Sequence, residues 1–351
     1  MDLGRWAPTR ALARSCIGAL LVLAGVGLMA MTARGLLNYR EAAARHGGEV
    51  IDLDADAGPQ AGQHGFMARV VGTPVVVEAP TDPEFNLHVS TPVLVRNVEM
   101  FQWREVRIGA DVHYEQDWVG RLLDASHFER PAGHANPGSF PLSSKQFDAG
   151  LVQLGGFALS PQVMHALPSS TQATPDLKAL PANLAASFSQ YQNYLVTSAT
   201  PGDPRVGDVR VSWNEVPLQQ VTIVARVDGG RLVAATDTAD GKGLDVEVGD
   251  APLLDIFPDL PVPPGFVLIR QVLAVLLAAL GALLLLPAYG VRRDPLLALA
   301  VGALAVGLVA SVLWLGNDSQ AMGYWLLVTL LGAGVAFWRW KQLQRRQPDN
   351  D

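Results

Sequence analysis

The sequence predicts an α+β membrane protein, in which four transmembrane helices, one N-terminal and three C-terminal, hold a large β-rich extracytoplasmic domain. Two observations support this fold class. Of the 351 residues, 49% are hydrophobic and 17% are charged, and the apolar residues gather in four long runs. The net charge of −7 is uneven, because residues 41–264 are acidic overall while both ends carry more basic than acidic residues. An acidic middle section argues against nucleic-acid binding, which requires a basic face.

Four runs without a charged residue, at 15–33, 271–291, 295–317 and 319–338, are each long enough to cross a bilayer. A helix needs about 20 apolar residues to cross the hydrocarbon core, and a helix satisfies its own backbone hydrogen bonds there. The predicted transmembrane helices cover residues 15–33, 267–291, 295–317 and 322–338.

Basic residues beside the spans predict the orientation, because cytoplasmic loops carry an excess of Lys and Arg. Arginines precede the first span, Arg292 and Arg293 follow the second, and a basic tail follows the fourth. We therefore predict a cytoplasmic N-terminus at residues 1–14, an extracytoplasmic domain at residues 34–265 and a cytoplasmic basic tail at residues 339–351.

Three features of the spans bear on their role. Small residues near Ala30 and Ala33 leave a cleaved signal peptide as the alternative for the first span. The span interiors carry no ionisable residue, which disfavours a transporter, since intramembrane charges mark ion pathways. Ala274, Ala278 and Ala282 recur every four residues, a spacing typical of close helix packing. We interpret it as packing among the chain's own spans, with self-association as the alternative.

Secondary structure in the extracytoplasmic domain is predicted from composition and periodicity. Segments rich in β-branched and aromatic residues predict strands, and two of them form a hairpin around Asp228, Gly229 and Gly230. The predicted strands cover residues 70–78, 92–106, 112–118, 209–213, 221–227, 231–235 and 244–248. Apolar residues at helical spacing predict helices over residues 161–167 and 176–191.

No catalytic motif is recognisable in the domain, so we expect neither an enzyme nor a bound cofactor or metal. His113, Glu115 and Asp117 alternate along a predicted strand and would share one face. A solvated charged face is our interpretation, and a metal site is its alternative. A second alternative is an envelope enzyme with an unrecognised site around His134, Asn136 and Asp117.

Two segments, residues 99–105 and 114–118, are dense in aromatic and charged side chains. Trp, Tyr and Arg are enriched where proteins contact each other, although core packing also explains such aromatic residues. The candidate partner-contact residues are Arg104, Tyr114, Trp118 and His134.

Several collinear motifs carry a resemblance to a known family. They are VEMFQW at 98–103, Tyr-x-x-x-Trp at 114–118, Gly-His-x-Asn-Pro at 133–137, VGDVRVS at 206–212 and VTIVAR at 221–226. In these motifs, and in its order of one span, a large domain and a short multi-span end, the chain resembles the LUMA (transmembrane protein 43) family.

The resemblance extends over about residues 15–340 and implies a role rather than a chemistry. It implies a retained first span, and a membrane scaffold that organises a membrane or envelope through partner binding by the extracytoplasmic domain. The expected partners are the lipid bilayer and either other proteins or a second copy of the chain. The Ala-, Gly-, Arg- and Leu-rich composition is typical of a bacterial member, which would lie in the inner membrane with a periplasmic domain. A eukaryotic member would lie in the endoplasmic reticulum or inner nuclear membrane.

Overall fold

The computed structural model describes residues 7–345 except 57, 176, 177, 179, 240 and 242, and for residues 7–11 it describes the backbone alone. The ends of the predicted N-terminus and tail, and the first two residues of the predicted helix at 176–191, lie outside the described residues. The chain separates into two compact units. We call them the helical unit, formed by residues up to 43 and from 259, and the β-rich unit, formed by residues 44–258.

Long apolar helices dominate the helical unit, and short helices lie within the β-rich unit. The helices are α1 (Ala7–Arg45), α2 (Pro161–His165), α3 (Ala182–Ala185), α4 (Leu253–Ile256), α5 (Val267–Leu285), α6 (Pro295–Trp314) and α7 (Ser319–Arg345). Four of them, α1, α5, α6 and α7, are long and apolar enough to cross a membrane. A 3-10 turn, Leu286–Tyr289, extends α5 towards α6.

Small residues let the four long helices pack closely. A Cβ atom added to Gly25 of α1 would lie 2.4 Å from the carbonyl oxygen of Ala274 in α5. A Cβ atom on Gly302 of α6 would lie 2.5 Å from the amide nitrogen of Ala279 in α5. Ala274, Ala278 and Ala282 are buried, so the small-residue spacing serves packing within the chain.

One carboxylate lies at each end of the α6–α7 hairpin. Asp294 accepts from the backbone N–H of Leu297 and pairs with Arg339 of α7 at 2.8 Å. Asp318, in the α6–α7 turn, pairs with Arg40 of α1 at 2.7 Å. The Arg339 guanidinium lowers the pKa of Asp294, and the backbone N–H of Ala321 followed by Arg40 lowers the pKa of Asp318. Both carboxylates are therefore charged at neutral pH and can hold their helix ends in place.

Strands make up most of the regular structure in the β-rich unit. They are β1 (Val50–Asp54), β2 (Met67–Gly72), β3 (Val75–Glu78), β4 (Thr81–Asp82), β5 (Leu87–His88), β6 (Val93–Ile108), β7 (Asp111–Val119), β8 (Lys145–Asp148), β9 (Leu151–Leu154), β10 (Phe157–Leu159), β11 (Thr171–Ala173), β12 (Ser189–Tyr191), β13 (Tyr194–Val196), β14 (Val209–Glu215), β15 (Val221–Asp228), β16 (Arg231–Val233) and β17 (Asp245–Val248).

The first sheet has the order β1-β2-β15-β16-β10-β9-β3, with β17 beside β15. Two of its pairs, β1–β2 and β10–β16, are parallel. The hairpin of β15 and β16 turns at Gly229 and Gly230, whose φ angles of 54° and 85° suit a turn that needs positive φ at both central positions. The predicted hairpin is present, and its apolar face, including Ile223 and Leu232, is buried in a core with α2.

The second sheet is antiparallel and has the order β12-β13-β14-β6-β7, with β11 beside β14 and β8 beside β6. Its central strand, β6, is 16 residues long and alternates buried with partly buried positions from Val95 to Gln102. The start of β6 pairs with β14, and its end pairs with β7. A second core, with Met100, Trp213 and Phe188 among its members, covers one face of this sheet.

The predicted helix over residues 176–191 is wrong. The described part of this segment holds the single-turn helix α3 and the strand β12, which pairs with β13. Pro181 stands before α3 and interrupts the predicted helix, because proline lacks the N–H that a helix interior needs. Leu180, Leu184 and Phe188 nevertheless pack against the second core, so their apolar spacing reports burial rather than a long helix.

Candidate functional site

Three of the four candidate contact residues lie in the β6–β7 hairpin, where pairing decides which face each occupies. Tyr114 lies opposite Glu105, and Trp118 lies opposite Phe101. Directly opposed residues of an antiparallel pair point to the same face. Arg104 is next to Glu105 in the strand and therefore points to the other face. The structure thus separates Arg104 from the two aromatic candidates.

His134, the fourth candidate, lies in the segment of residues 120–139 that follows β7. Its ring stacks on Tyr114 with centroids 3.9 Å apart and forms a T-shaped contact with Trp103, with centroids 4.7 Å apart. The His134 Nδ1 atom lies 2.8 Å from the carbonyl oxygen of Arg130. Aromatic contacts and a local hydrogen bond therefore hold His134 against the hairpin.

Hydrogen bonds of Glu105 and Tyr114 join the hairpin to the segment that carries His134. The Glu105 carboxylate accepts from the Tyr114 hydroxyl at 2.8 Å and from the backbone N–H of Glu129 at 2.6 Å. The Tyr114 oxygen accepts from the backbone N–H of Arg130 at 2.7 Å. The Glu129 N–H and then the Tyr114 hydroxyl lower the pKa of Glu105, while desolvation and then Glu105 raise the pKa of Tyr114. At neutral pH the acid is ionised and the phenol is protonated, which is the state that this network requires.

Asn136 also serves the backbone of the hairpin. Its side-chain oxygen accepts from the Trp103 N–H at 2.8 Å, and its amide donates to the carbonyl oxygens of Trp103 at 2.8 Å and Leu123 at 3.2 Å. Asp117, the third member of the alternative enzyme site, lies on the opposite face and pairs with Arg104. The structure therefore does not bring His134, Asn136 and Asp117 together.

The face that carries Arg104 is a charged surface. Arg104 contacts Glu115 at 3.1 Å and Asp117 at 2.8 Å. Strand alternation places His113 on this face with the two carboxylates. Among the residues that the structure describes, no group of three or more His, Cys, Asp and Glu side chains could hold a metal ion.

A polar groove of about 600 Å³, which the sequence did not predict, lies on the second sheet. Arg210 lies at its wall, paired with Glu99 at 2.5 Å. The Arg210 guanidinium lies over the rings of Trp118 and Tyr194, 4.9 and 4.8 Å from their centroids. The remaining polar lining consists of amide and hydroxyl side chains: Asn97, Ser144, Ser170, Gln172, Ser212 and Asn214.

One signal in the sequence could have identified this groove. Along β14, Arg210, Ser212 and Asn214 alternate with apolar residues that include Val211 and Trp213. A strand buried on one face and polar on the other gives this pattern. Because Glu99 lies opposite Arg210 in β6, the polar faces of the two strands adjoin. Trp118, a predicted contact residue, joins the groove through its contact with Arg210.

A second polar cluster in the β-rich unit is buried and was also missed. Arg96 and Asp82 are both fully buried, and the Arg96 Nη1 atom donates to both Asp82 oxygens at 2.9 and 3.1 Å. The indole N–H of Trp213 donates to Asp82 at 2.9 Å. Arg96 also contacts Glu84 at 2.8 Å and donates to the Ser143 carbonyl oxygen at 3.1 Å. Because Arg96 and Asp82 are buried and paired with one another, this cluster stabilises the fold and does not form an open binding site.

Comparison with known proteins identifies relatives of this chain. The family model described as Transmembrane protein 43 matches residues 100–259. Transmembrane protein 43 of Mus musculus is 25% identical over 221 residues, 55% of this chain and 53% of the relative. The Homo sapiens protein is 24% identical over 215 residues with the same shares. The Drosophila melanogaster homolog is 24% identical over 190 residues, half of each chain. No solved structure matches the chain.

The chain spans about half the length of the curated relatives it matches. The family-model match includes the four predicted contact residues and Arg210, and it lies between the first long apolar helix and the other three. These findings confirm the resemblance that the sequence motifs indicated. The chain is an integral, multi-pass membrane protein that is similar to the transmembrane protein 43 (LUMA) family.

Proposed function

We propose that this protein is a membrane-anchored scaffold whose β-rich unit binds a protein partner through the polar groove of the second sheet. The observation that carries the proposal is the position of Arg210, held against Trp118 and Tyr194 and paired with Glu99 at the groove wall. An arginine fixed in this way presents a rigid, amphipathic surface at little entropic cost, which is favourable at protein contacts.

The chemistry of the lining favours binding over the enzyme alternative. General acid–base catalysis needs a titratable group within reach of the proton it moves. In the groove, the carboxylate Glu99 is occupied by Arg210, and no His, Cys or Lys belongs to the lining that the structure describes. Amide and hydroxyl side chains instead offer donors and acceptors in pairs, as Gln172 and Asn214 do on neighbouring strands.

These properties fit an extended polypeptide as the ligand. A peptide backbone presents alternating N–H and C=O groups, which amide side chains can match. A groove of about 600 Å³ can hold a few residues of such a segment. Through this contact, and with its spans in the bilayer, the protein would organise a membrane or envelope, the role that the family resemblance implies. We further propose that the β-rich unit faces the periplasm of a bacterium, or the corresponding lumen of a eukaryotic cell.

Site-directed photocrosslinking in native membranes tests the proposal. A photoreactive amino acid would replace Gln172 or Asn214 in the groove and, as the control, Glu247 on β17 of the first sheet. We expect a discrete protein adduct from both groove positions and none from the control. Because the chain is 37.4 kDa, the mass of the adduct distinguishes a second copy from another protein.

A matched pair of variants connects the adduct to the groove. Arg210→Gln should reduce adduct formation severalfold, because it removes the cation that lies over both aromatic rings. Arg104→Gln makes the same charge change on the other face of the hairpin and should leave the adduct unchanged. Adducts of equal yield from all three crosslinking positions, or equal loss in both variants, would contradict a binding role for this groove.

A further inference from the structure

A separate cavity of about 140 Å³ lies in the helical unit, where the connection between α5 and α6 meets the C-terminal part of α7. Its apolar lining includes Val291 and Leu343, which pack against the buried cluster of α5 and α6. Two amphipathic rings also line it: Tyr289, 77% exposed, and Trp340, 40% exposed. Tyr and Trp with exposed rings are enriched where a protein crosses from hydrocarbon to water.

The charges at this cavity are unevenly compensated. Arg339 is paired with Asp294, so its charge is neutralised locally. Arg292 lines the cavity, and Arg293 follows it in the chain; both are exposed. Neither of these two arginines has an ion-pair partner among residues 7–345 as far as the structure describes them. The cavity therefore combines an apolar floor with a cationic rim.

We propose that this cavity binds the phosphate headgroup of an anionic membrane phospholipid. Arg292 supplies the charge, and the side-chain amide of Gln344 supplies a hydrogen-bond donor to the phosphate or glycerol oxygens. The apolar floor and the Trp340 ring contact the upper part of the acyl chains. Basic pockets between membrane-spanning helices bind lipid headgroups by this combination of charge and apolar contact.

The same features select among ligands. A zwitterionic choline headgroup brings an ammonium group towards Arg292 and Arg293, and like charges repel. A soluble phosphate ion would gain the charge contact but would leave the apolar floor uncovered, losing the contribution of its burial. The site is therefore expected to prefer an anionic lipid over both a zwitterionic lipid and free phosphate.

Native mass spectrometry of the full-length protein in neutral detergent tests this site. The protein would be titrated with phosphatidylglycerol, with phosphatidylcholine and with inorganic phosphate as a competitor. We expect tighter binding of phosphatidylglycerol, and about fivefold weaker binding in Arg292→Gln, the factor for a single basic residue at an anionic surface. Arg270→Gln, the same change at the opposite end of α5, is the matched control and should bind like the wild type.

Several outcomes would overturn the proposal. These are equal affinity for the two lipids, equal weakening in Arg292→Gln and Arg270→Gln, or displacement of the lipid by inorganic phosphate at comparable concentration. If Arg292→Gln fails to give a folded protein by circular dichroism, Arg292→Lys replaces it. That variant keeps the charge, so it should retain the preference for phosphatidylglycerol, and added salt should weaken the preference in the wild type.

Discussion

The buried ion pair of Arg96 and Asp82 offers a stringent test of the β-rich unit. In Asp82→Ala, the fully buried Arg96 guanidinium loses the carboxylate that accepts from its Nη1 atom, and the indole N–H of Trp213 loses its acceptor at the same time. Removing one partner of a buried pair costs about 3–5 kcal/mol, because the remaining charge stays desolvated. Glu84, whose side chain is 49% exposed, still contacts Arg96 at 2.8 Å. We therefore expect a loss of about 3 kcal/mol, at the lower end of this range.

The free energy of unfolding would be measured on the full-length protein in mild detergent. Urea unfolding followed by a short proteolysis pulse reports the fraction of unfolded β-rich unit. With a urea dependence of about 2 kcal/mol per molar, the expected loss lowers the urea midpoint by roughly 1.5 M. Asp228→Ala is the matched control, because the Asp228 side chain is 61% exposed and its removal should change stability by less than about 0.5 kcal/mol.

Repeating Asp82→Ala in a variant that lacks both side-chain partners of Asp82 distinguishes the effect of the lost ion pair from the effect of the lost side-chain volume. In the double variant Arg96→Met/Trp213→Phe, the Asp82 carboxylate no longer has its guanidinium or indole partner. Adding Asp82→Ala there should cause little loss or even increase stability, since it removes an uncompensated buried charge. The reasoning is refuted if Asp82→Ala costs the same in both backgrounds, or less than about 1 kcal/mol in the wild type.

Three further predictions concern helix packing and the hairpin. Gly25→Val should lower the stability of the detergent-solubilised helical unit by about 1–3 kcal/mol in thermal unfolding, through a clash with Ala274, whereas Gly27→Val, with open space around it, should not. Glu105→Gln should flatten the acid side of the stability profile. The folded-state pKa of Glu105 is lowered, so its ionised form contributes stability above about pH 4.5 that is lost as pH falls through the lower pKa, and a Gln variant that kept the full acid dependence would contradict this. Asn136→Ala should cost about 1–3 kcal/mol and make residues 120–139 more sensitive to protease, and unchanged cleavage would show that its backbone hydrogen bonds are dispensable.

The parts of the fold that sequence could predict depend on local signals. Uncharged runs predicted four long apolar helices, because a bilayer sets a minimum length for each span. Gly229 and Gly230 predicted a hairpin, because few residues tolerate its positive φ angles. The parallel pair β10–β16 joins segments that are distant in the chain, and no local pattern specifies such partners. The predicted helix at 176–191 failed because Pro181 and pairing with β13 outweighed apolar spacing.

The candidate site was predictable to a smaller extent. Trp118 was predicted because its segment is rich in aromatic and charged residues. Its partner Arg210 lies far along the chain, and only the pairing of β6 with β14 brings the two side chains into contact. On the buried face of β6, Arg96 lies between Leu94 and Val98, at a position where the alternating pattern predicts an apolar residue. A charged residue in that register was the signal for a buried ion pair, but its acceptor Asp82 could not be identified without the fold.

The two carboxylates at the ends of the α6–α7 hairpin have a consequence for the bilayer itself. Between Asp294 and Asp318 lies α6, whose 20 residues rise about 30 Å, close to the thickness of the hydrocarbon core. Both aspartates are tied to arginines, so neither end can slide inward without moving a charge into lipid. The hairpin therefore has a fixed hydrophobic length, which matches only a narrow range of bilayer thickness. In a thicker membrane the surrounding lipid must thin, and in a thinner one the helices must tilt, so hydrophobic mismatch is expected to influence which membranes suit this protein.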